Sequence, residues 1–294
     1  MRRAYRYRIY PNDEQQIQFS KTFGCCRFIY NRMLSDKIRW YEKHHEKLRT
    51  TPAQYKNEYE WLKEVDSLAL ANVQLDLEQA YRKFFREAKA GFPRYKRKRN
   101  DRQSYTTNVV NNNIRFEGGR IVLPKAGKVK IVLHRQIPEE AKLKSVTIVK
   151  EGSGKYYASL LCELPEPENQ REAASTEEAK ILGIDYAMEG MGVFSDGTKA
   201  EYPGYYRKEQ KKLAREQRKL SHCVKGSRNY DKQRKRVALC HEKIRNQRSD
   251  HQHKLSRRLA DQFDAVSVED LDMKALSRCL RLGKGVMEIG RAHV

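Results

Sequence analysis

No apolar run in the chain approaches the length of a membrane-spanning helix, which argues against a spanning protein. Met1-Arg-Arg-Ala-Tyr-Arg-Tyr-Arg-Ile-Tyr10 alternates charge with rings and has no apolar stretch of the secretory kind, so it reads as a strand rather than a signal peptide. Without an export signal, the six cysteines are expected to be reduced in the cytoplasm. None of them forms a C-x-x-C pair. His222-Cys223 and Cys240-His241 match no common zinc spacing and lie in helical sequence, so no zinc is expected there. Acid is outnumbered by base. Lys+Arg number 61 against Asp+Glu 38, a formal net charge of +23 over 294 residues, which points to a polyanionic partner. Hydrophobic residues still make up 38 %, enough to build cores, and the length allows two domains.

The opening strand ends at Pro11, where Asn12 and Gln15 form a capping box for a long helix reaching about Tyr41. Phe19, Phe23, Cys26, Tyr30 and Met33 make its apolar stripe. A second helix starts after Asp66-Ser67, carries Leu70, Val73, Leu77, Tyr81 and Phe84 on one face, and is expected to stop at Gly91 before Pro93. From about Gln103 the period shortens to two. Segments 114–116, 120–123, 128–133, 145–149 and 155–161 read as strands, separated by Gly-containing turns. The fold class expected is α+β: an antiparallel β-barrel from 1–10 and 103–164, with 11–102 as a helical insertion. Residues 165–179, acidic and containing Pro, read as a linker. Beyond it, 180–294 holds a strand pair over 180–202 and two basic helices, from about Arg207 to Ser221 and from Ser227 to about Phe263.

Two short apolar runs of strand type, Ile181-Leu-Gly-Ile-Asp185 and Val266-Ser-Val-Glu269, each carry an acid at or just beyond the apolar part. An unpaired buried carboxylate costs several kcal/mol. Two acids from different strands are economical when a divalent cation lies between them, and Mg²⁺ is usually held by one or two carboxylates together with phosphate and water. Asp185 and Glu269 are therefore candidate metal ligands and catalytic acids. Candidate nucleic-acid contacts fall in two places. Arg94, Tyr95, Lys96, Arg97, Lys98, Arg99, Gln103 and Tyr105 interleave cations with rings, the cations suited to phosphate and the rings either to stacking on unpaired bases or to packing at the helix–barrel junction. Lys211, Lys212, Arg215, Arg245 and Arg248 lie on the basic helices between the two acidic strands.

Thr22-Phe-Gly-Cys-Cys-Arg-Phe-Ile-Tyr-Asn31, Gly91-Phe-Pro-Arg-Tyr95, Asp101-Arg-Gln-Ser-Tyr105 and Gly154-Lys-Tyr-Tyr-Ala158 resemble the N-terminal half of the TnpB (OrfB) proteins encoded by bacterial insertion sequences. Gly183-Ile-Asp-Tyr-Ala187, Asn246-Gln-Arg-Ser-Asp250 and Val268-Glu-Asp-Leu271 are similar to that family's RuvC-like nuclease domain, and the resemblance runs to about Met287. It implies an RNA-guided DNA endonuclease, long called a transposase, whose partners are a guide RNA and double- and single-stranded target DNA, in the bacterial cytoplasm at the nucleoid. It implies an OrfB-type helix-turn-helix region within 11–102 and an RNase H-like fold over 180–294. Asp185 and Glu269 match the acids of the first two RuvC segments, which in the family hold two Mg²⁺ ions with a third aspartate. The family continues with a four-cysteine zinc ribbon and that third acid. Here Glu288-Ile-Gly-Arg-Ala-His-Val294 departs from the pattern, so an incomplete nuclease domain with no zinc of its own is expected. A non-cleaving RNA-guided repressor and an RNA-independent helix-turn-helix factor are the alternatives.

Overall fold

A computed structural model describes residues 1–98, 103–165, 179–185, 192–200 and 203–270. Two compact units emerge, Met1–Glu166 and Pro167–Val294. Arg99, most of the expected linker and the segment beyond Asp270 lie outside the described residues.

The first unit opens with strand β1 (Arg2–Tyr10) and helix α1 (Asp13–His44). The Asn12 side chain accepts from the Gln15 N–H while the Gln15 side chain accepts from the Asn12 N–H, satisfying two donors that a helix start leaves open. Two short 3₁₀ turns, Pro52–Lys56 and Glu60–Glu64, lead to α2 (Ser67–Arg86), which Asp66 caps by accepting from the Leu68 N–H. Helix α2 stops at Arg86, short of Gly91. The chain turns back early because Phe92 packs edge-on against Tyr81 and Phe84.

Six further strands follow: β2 (Gln103–Asn108), β3 (Arg115–Glu117), β4 (Arg120–Leu123), β5 (Gly127–Val132), β6 (Lys142–Lys150) and β7 (Tyr156–Glu163). With β1 they form one antiparallel sheet in the order β2-β6-β7-β1-β5-β4-β3. The outermost strands, β2 and β3, are consecutive in sequence. Seven Cα steps join Asn108 to Arg115 and span at most about 25 Å. A flat seven-stranded sheet would hold its edges about 29 Å apart at the usual strand spacing. The connection also spends length on a tight turn, with Asn111 and Asn112 at positive φ. The sheet therefore has to curl. It does not close: β2 and β3 remain unpaired edges, so a curled half-barrel replaces the closed barrel expected from sequence, the short turn and a three-residue β3 taking the place of a closing strand pair.

One core serves helices and sheet. Tyr5, Tyr7 and Ile9 of β1 and Tyr156, Ala158, Leu160 and Cys162 of β7 are buried, as alternation demands of a strand covered on one face. Against them lie Phe19, Phe23, Cys26, Ile29 and Met33 of α1 and Leu70, Val73 and Leu77 of α2. Phe19 touches the rings of both Tyr105 and Tyr156.

The second unit contains a four-stranded sheet in the order β10-β9-β8-β11, from β8 (Ile181–Asp185), β9 (Gly192–Phe194), β10 (Lys199–Ala200) and β11 (Ala265–Val268). Strand β11 runs parallel to β8, and the other pairs are antiparallel. Between β10 and β11 the chain forms a helical hairpin, α3 (Tyr205–Ser221) and α4 (Arg228–Gln262). Its core is small: Leu213, Cys240 and Ile244, with Tyr206 and Val237 alongside. The Gln233 amide adds a buried polar tie, donating to both the backbone carbonyl and the carboxylate of Glu216. The Cys240 thiol is thus packing between helices.

Candidate functional site

Strands β8 and β11 decide where the two acids stand. Their parallel register pairs Ala265 with Ile181 and ends with Val268 opposite Ile184. Glu269 follows β11 directly, and one residue further at the same offset would match it with Asp185, the last residue of β8. Register partners on adjacent strands share a face and lie about 4.8 Å apart. Were that register to continue past the end of β11, Glu269 would fall on the face of Asp185 at the same end of the sheet.

That face is mixed: Val193 of β9 pairs with Asp185, and Ile181 lies on the same side at the start of β8. Gly183, Ser267 and Ala265 occupy the positions behind the acids, and Ser195 stands across from Gly183 on β9, exchanging two hydrogen bonds with it: the Gly183 N–H donates to Ser195 Oγ at 3.0 Å and the Ser195 N–H to the Gly183 carbonyl at 2.9 Å. The opposite face carries Leu182, Ile184, Phe194, Val266 and Val268. Strand β9 comes unusually close to β8: a Cβ on Gly192 would meet the Asp185 carbonyl oxygen at 2.7 Å and Ile184 Cγ2 at 2.9 Å. Only glycine lets the strands meet there, and the backbone of Asp185 is positioned by that approach. Among the described residues Asp185 and Glu269 are exposed, as is all of β11. The desolvation argument that singled out these acids from sequence does not apply to them as they stand. Register is what relates them.

A resident Mg²⁺ fits this pair in chemistry. Two carboxylates at the ends of adjacent strands suit a hard cation, and the described residues of β8, β9, β10 and β11 include no His or Cys to favour a softer metal. Among the described residues no cluster of three potential ligands occurs.

The cationic loop is held by specific contacts. The Asn31 amide reads the Lys96 backbone in both directions, donating to its carbonyl at 2.9 Å and accepting from its N–H at 2.7 Å. Lys96 Nζ lies 4.1 Å from the Tyr30 ring centroid and 3.9 Å from Asp76 Oδ2. Pro93 is buried, while Arg94, Tyr95, Arg97 and Lys98 point outward. Tyr95 and Phe92, 49 % and 45 % exposed, keep rings available for stacking. Tyr105 does not. It is 6 % exposed, wedged against Phe19 and Phe23, and burial pushes its phenol strongly up, so its place among the candidate contacts is corrected to the core. Gln103, at the start of β2, is half-buried and reaches the same region as Lys96 and Arg97.

On the hairpin, Lys211, Lys212, Arg215 and Arg245 are exposed and Arg248 is half-buried. Alternating with them, Glu209 is ion-paired to Lys243 and Glu216 sits under Lys219 and Arg215. Each of these acids is held below the usual carboxylate range, Glu209 first by the hydrogen bond from Lys243 and Glu216 first by that from Gln233. Sequence reasoning missed three groups lining the cavity beneath the cationic loop: Arg27, Asn72 and Asp76. Their helical spacing marked only the apolar stripes, and nothing local distinguishes a cavity-facing polar residue from a solvated one.

A two-unit α+β protein with a strongly cationic loop and hairpin, and acids at the ends of two parallel strands, is of the class that handles nucleic acid phosphates. A family profile described as "Probable transposase" matches residues 159–280, and one described as "Helix-turn-helix domain", of the same OrfB group, matches 1–47. A Streptomyces pristinaespiralis protein named "Putative RNA-guided DNA endonuclease" is 32 % identical over 98 % of this chain and 71 % of its own length. InsQ of Escherichia coli (strain K12), which carries the same designation, is 32 % identical over 94 % of this chain and 67 % of its own. The chain belongs to the TnpB (OrfB) family. A cryo-EM structure of a Cas12f1–sgRNA–target DNA complex aligns over 99 % of this chain and 81 % of its own at 13 % identity, with a TM-score of 0.31 that is too low to define a shared fold. Among the described residues no helix is long and apolar enough to cross a membrane.

Proposed function

We propose that the protein is a TnpB-type RNA-guided DNA endonuclease, in which the second unit is a RuvC-like, RNase H-type nuclease domain and Asp185 and Glu269 are its metal-holding acids. The observation that carries this reading is the parallel β8–β11 register, Ala265–Val268 against Ile181–Ile184, whose offset would match Glu269 with Asp185 one residue further on. The naming of the two relatives and the order β10-β9-β8-β11, with its parallel strand reached through a helical crossover, support it.

Asp185 and Glu269 would hold Mg²⁺, which when bound supplies Lewis-acid activation of water and charge stabilisation on the phosphodiester. The chain's own residues do the rest. Gly192 lets β9 approach the backbone of Asp185, and the exposure of Asp185 and Glu269 would leave both acids within reach of a DNA strand. The exposed cations of α3 and α4 supply sequence-independent attraction for phosphates, and those of the 94–98 loop do the same for RNA or DNA at the first unit. Specificity would come from pairing between guide and target. The non-cleaving alternative leaves the alignment of the two acids without a purpose.

The test is guide-directed plasmid cleavage in Mg²⁺ by the chain carrying a family-type C-terminal extension that supplies the third acid, with Mn²⁺ binding followed by electron paramagnetic resonance as a second readout. Asp185→Asn and Glu269→Gln should each abolish cutting and weaken Mn²⁺ binding while RNA affinity is unchanged. Cutting and Mn²⁺ binding that survive both substitutions would remove these acids from the mechanism.

A further inference from the structure

A cavity of about 300 Å³ opens in the first unit between α1, α2, β2 and the cationic loop. That is at the lower end of small-ligand sites, room for one nucleotide and not for a duplex. Its floor is apolar: Phe23, Cys26 and Val73 are buried there beside Tyr105. Its wall is polar, and its polar groups are unusually uncommitted. Arg27 is half-buried, yet among the described residues it makes no ion pair or hydrogen bond. Asp76 makes no hydrogen bond among the described residues, its nearest cation being Lys96 Nζ at 3.9 Å. The Asn72 amide spends one N–H on the Leu68 carbonyl and keeps its oxygen for the cavity. A half-buried guanidinium with no acid paired to it among the described residues, beside an apolar floor and a carboxylate–ammonium edge, is the arrangement that a single unstacked nucleotide would complete.

We infer that this cavity binds one guanine base extruded from a single-stranded nucleic acid, its edge read by Asp76 and Lys96 and its phosphate held by Arg27. The proposal rests on the reading of the chain as a nucleic-acid-binding protein. The choice of base follows from hydrogen-bond complementarity. A carboxylate offers two acceptors side by side, and guanine alone among the four common bases presents two adjacent donors, N1–H and the N2 amine, with the O6 acceptor next to them for an ammonium donor. Adenine and cytosine would set ring acceptors against the carboxylate, and uracil offers one donor. The base plane would rest on Phe23 and Val73. Asp76 keeps 62 % of its side chain exposed, so an entering base reaches it without rearranging the core. Protein packed around it already raises its carboxyl above the usual value, opposed by Lys96, and a bidentate base would relieve that burden.

Fluorescence-polarisation titrations of the full chain against five-nucleotide oligomers, uridine- or thymidine-flanked with one central G, inosine, A or C, test this directly. Both RNA and DNA versions are used, to tell which sugar the site accepts. The central G should bind roughly 5–150-fold tighter than A or C, the usual discrimination of a bidentate pair. Inosine, lacking the N2 amine, should fall between. Asp76→Asn should erase the G preference without weakening the A oligomer, and Arg27→Gln should weaken all oligomers alike. Thermal unfolding of both variants checks that they fold. Equal binding of G, inosine and A, unchanged by Asp76→Asn, overturns the guanine site while leaving the nucleic-acid reading intact. Failure to bind any oligomer or structured RNA would instead sink that broader reading.

Discussion

Replacing Gly192 with alanine tests how strand packing positions the carboxylate pair. A Cβ at this position would meet the Asp185 carbonyl oxygen at 2.7 Å and Ile184 Cγ2 at 2.9 Å, whereas ordinary contact begins at 3.4 Å. The nearer obstacle is backbone, which cannot rotate away. Strand β9 must therefore retreat from β8 by several tenths of an ångström, straining the pairing of Asp185 with Val193. Overpacking of this kind costs about 1–3 kcal/mol. Local opening should then speed amide exchange across 181–185 and 192–195 by roughly 5–150-fold, at about 1.4 kcal/mol per factor of ten. Because the displaced atom belongs to Asp185, guide-directed cutting should fall by about tenfold or more, short of the roughly hundredfold that a full 1 Å misplacement costs. RNA binding should be unaffected. Gly24→Ala is the control: nothing lies within 4 Å of a Cβ there, and in a helix interior the change should stabilise by about 0.5–1 kcal/mol. Hydrogen exchange by mass spectrometry reads both variants. If Gly192→Ala leaves exchange and cutting as in the parent protein, the packing argument is wrong.

Tyr105→Ala should cost about 3–5 kcal/mol in denaturant unfolding, as loss of a large core ring does, while Tyr105→Phe leaves RNA affinity unchanged; a selective loss of RNA binding by the Phe variant would restore it to the interface. Alanine at Arg94 and Lys98 should lower RNA affinity and flatten its dependence on log salt by nearly one unit for each phosphate no longer neutralised, and an unchanged slope in filter binding would make the loop a merely solvated surface. Asp66→Ala removes the α2 cap and leaves the Thr107 hydroxyl without its buried acceptor, so unfolding should be easier by about 1–3 kcal/mol; Asp66→Asn should recover part of that. The folded pKa of Glu216 is depressed, so its contribution is full above the ordinary glutamate range and lost as pH falls from there through the lower folded value. Gln233→Leu removes the largest cause of that depression, and helicity of the hairpin followed by circular dichroism should then lose less of its acid sensitivity relative to pH 7.

Long periodic elements were legible because their signals are local. The Asn12–Gln15 capping box, the stripe from Phe19 to Met33 and the alternation of β1 and β7 each need only neighbours in sequence, and each stands in the structure. The net charge pointed to a polyanionic partner, and the motifs and their order resembled the TnpB family, to which the relatives confirm the chain belongs. Three things were decided by tertiary structure. Helix α2 ended at Arg86 because an aromatic cluster drew Phe92 back, a competition between contacts that the Gly91-x-Pro93 stop signal does not encode. Tyr105 looked like a stacking ring among cations, yet strand alternation turned it inward against α1, and only the pairing of β2 with β6 fixes which face of β2 is covered. Asp185 and Glu269 were each identifiable from sequence as acids at strand ends, but the parallel register of the strands they terminate was formed only across a long helical crossover. A slip of one residue in that register would send Glu269 to the opposite face, because strand side chains alternate, and pairing between distant strands is settled by the packing of the whole sheet rather than by any residue nearby.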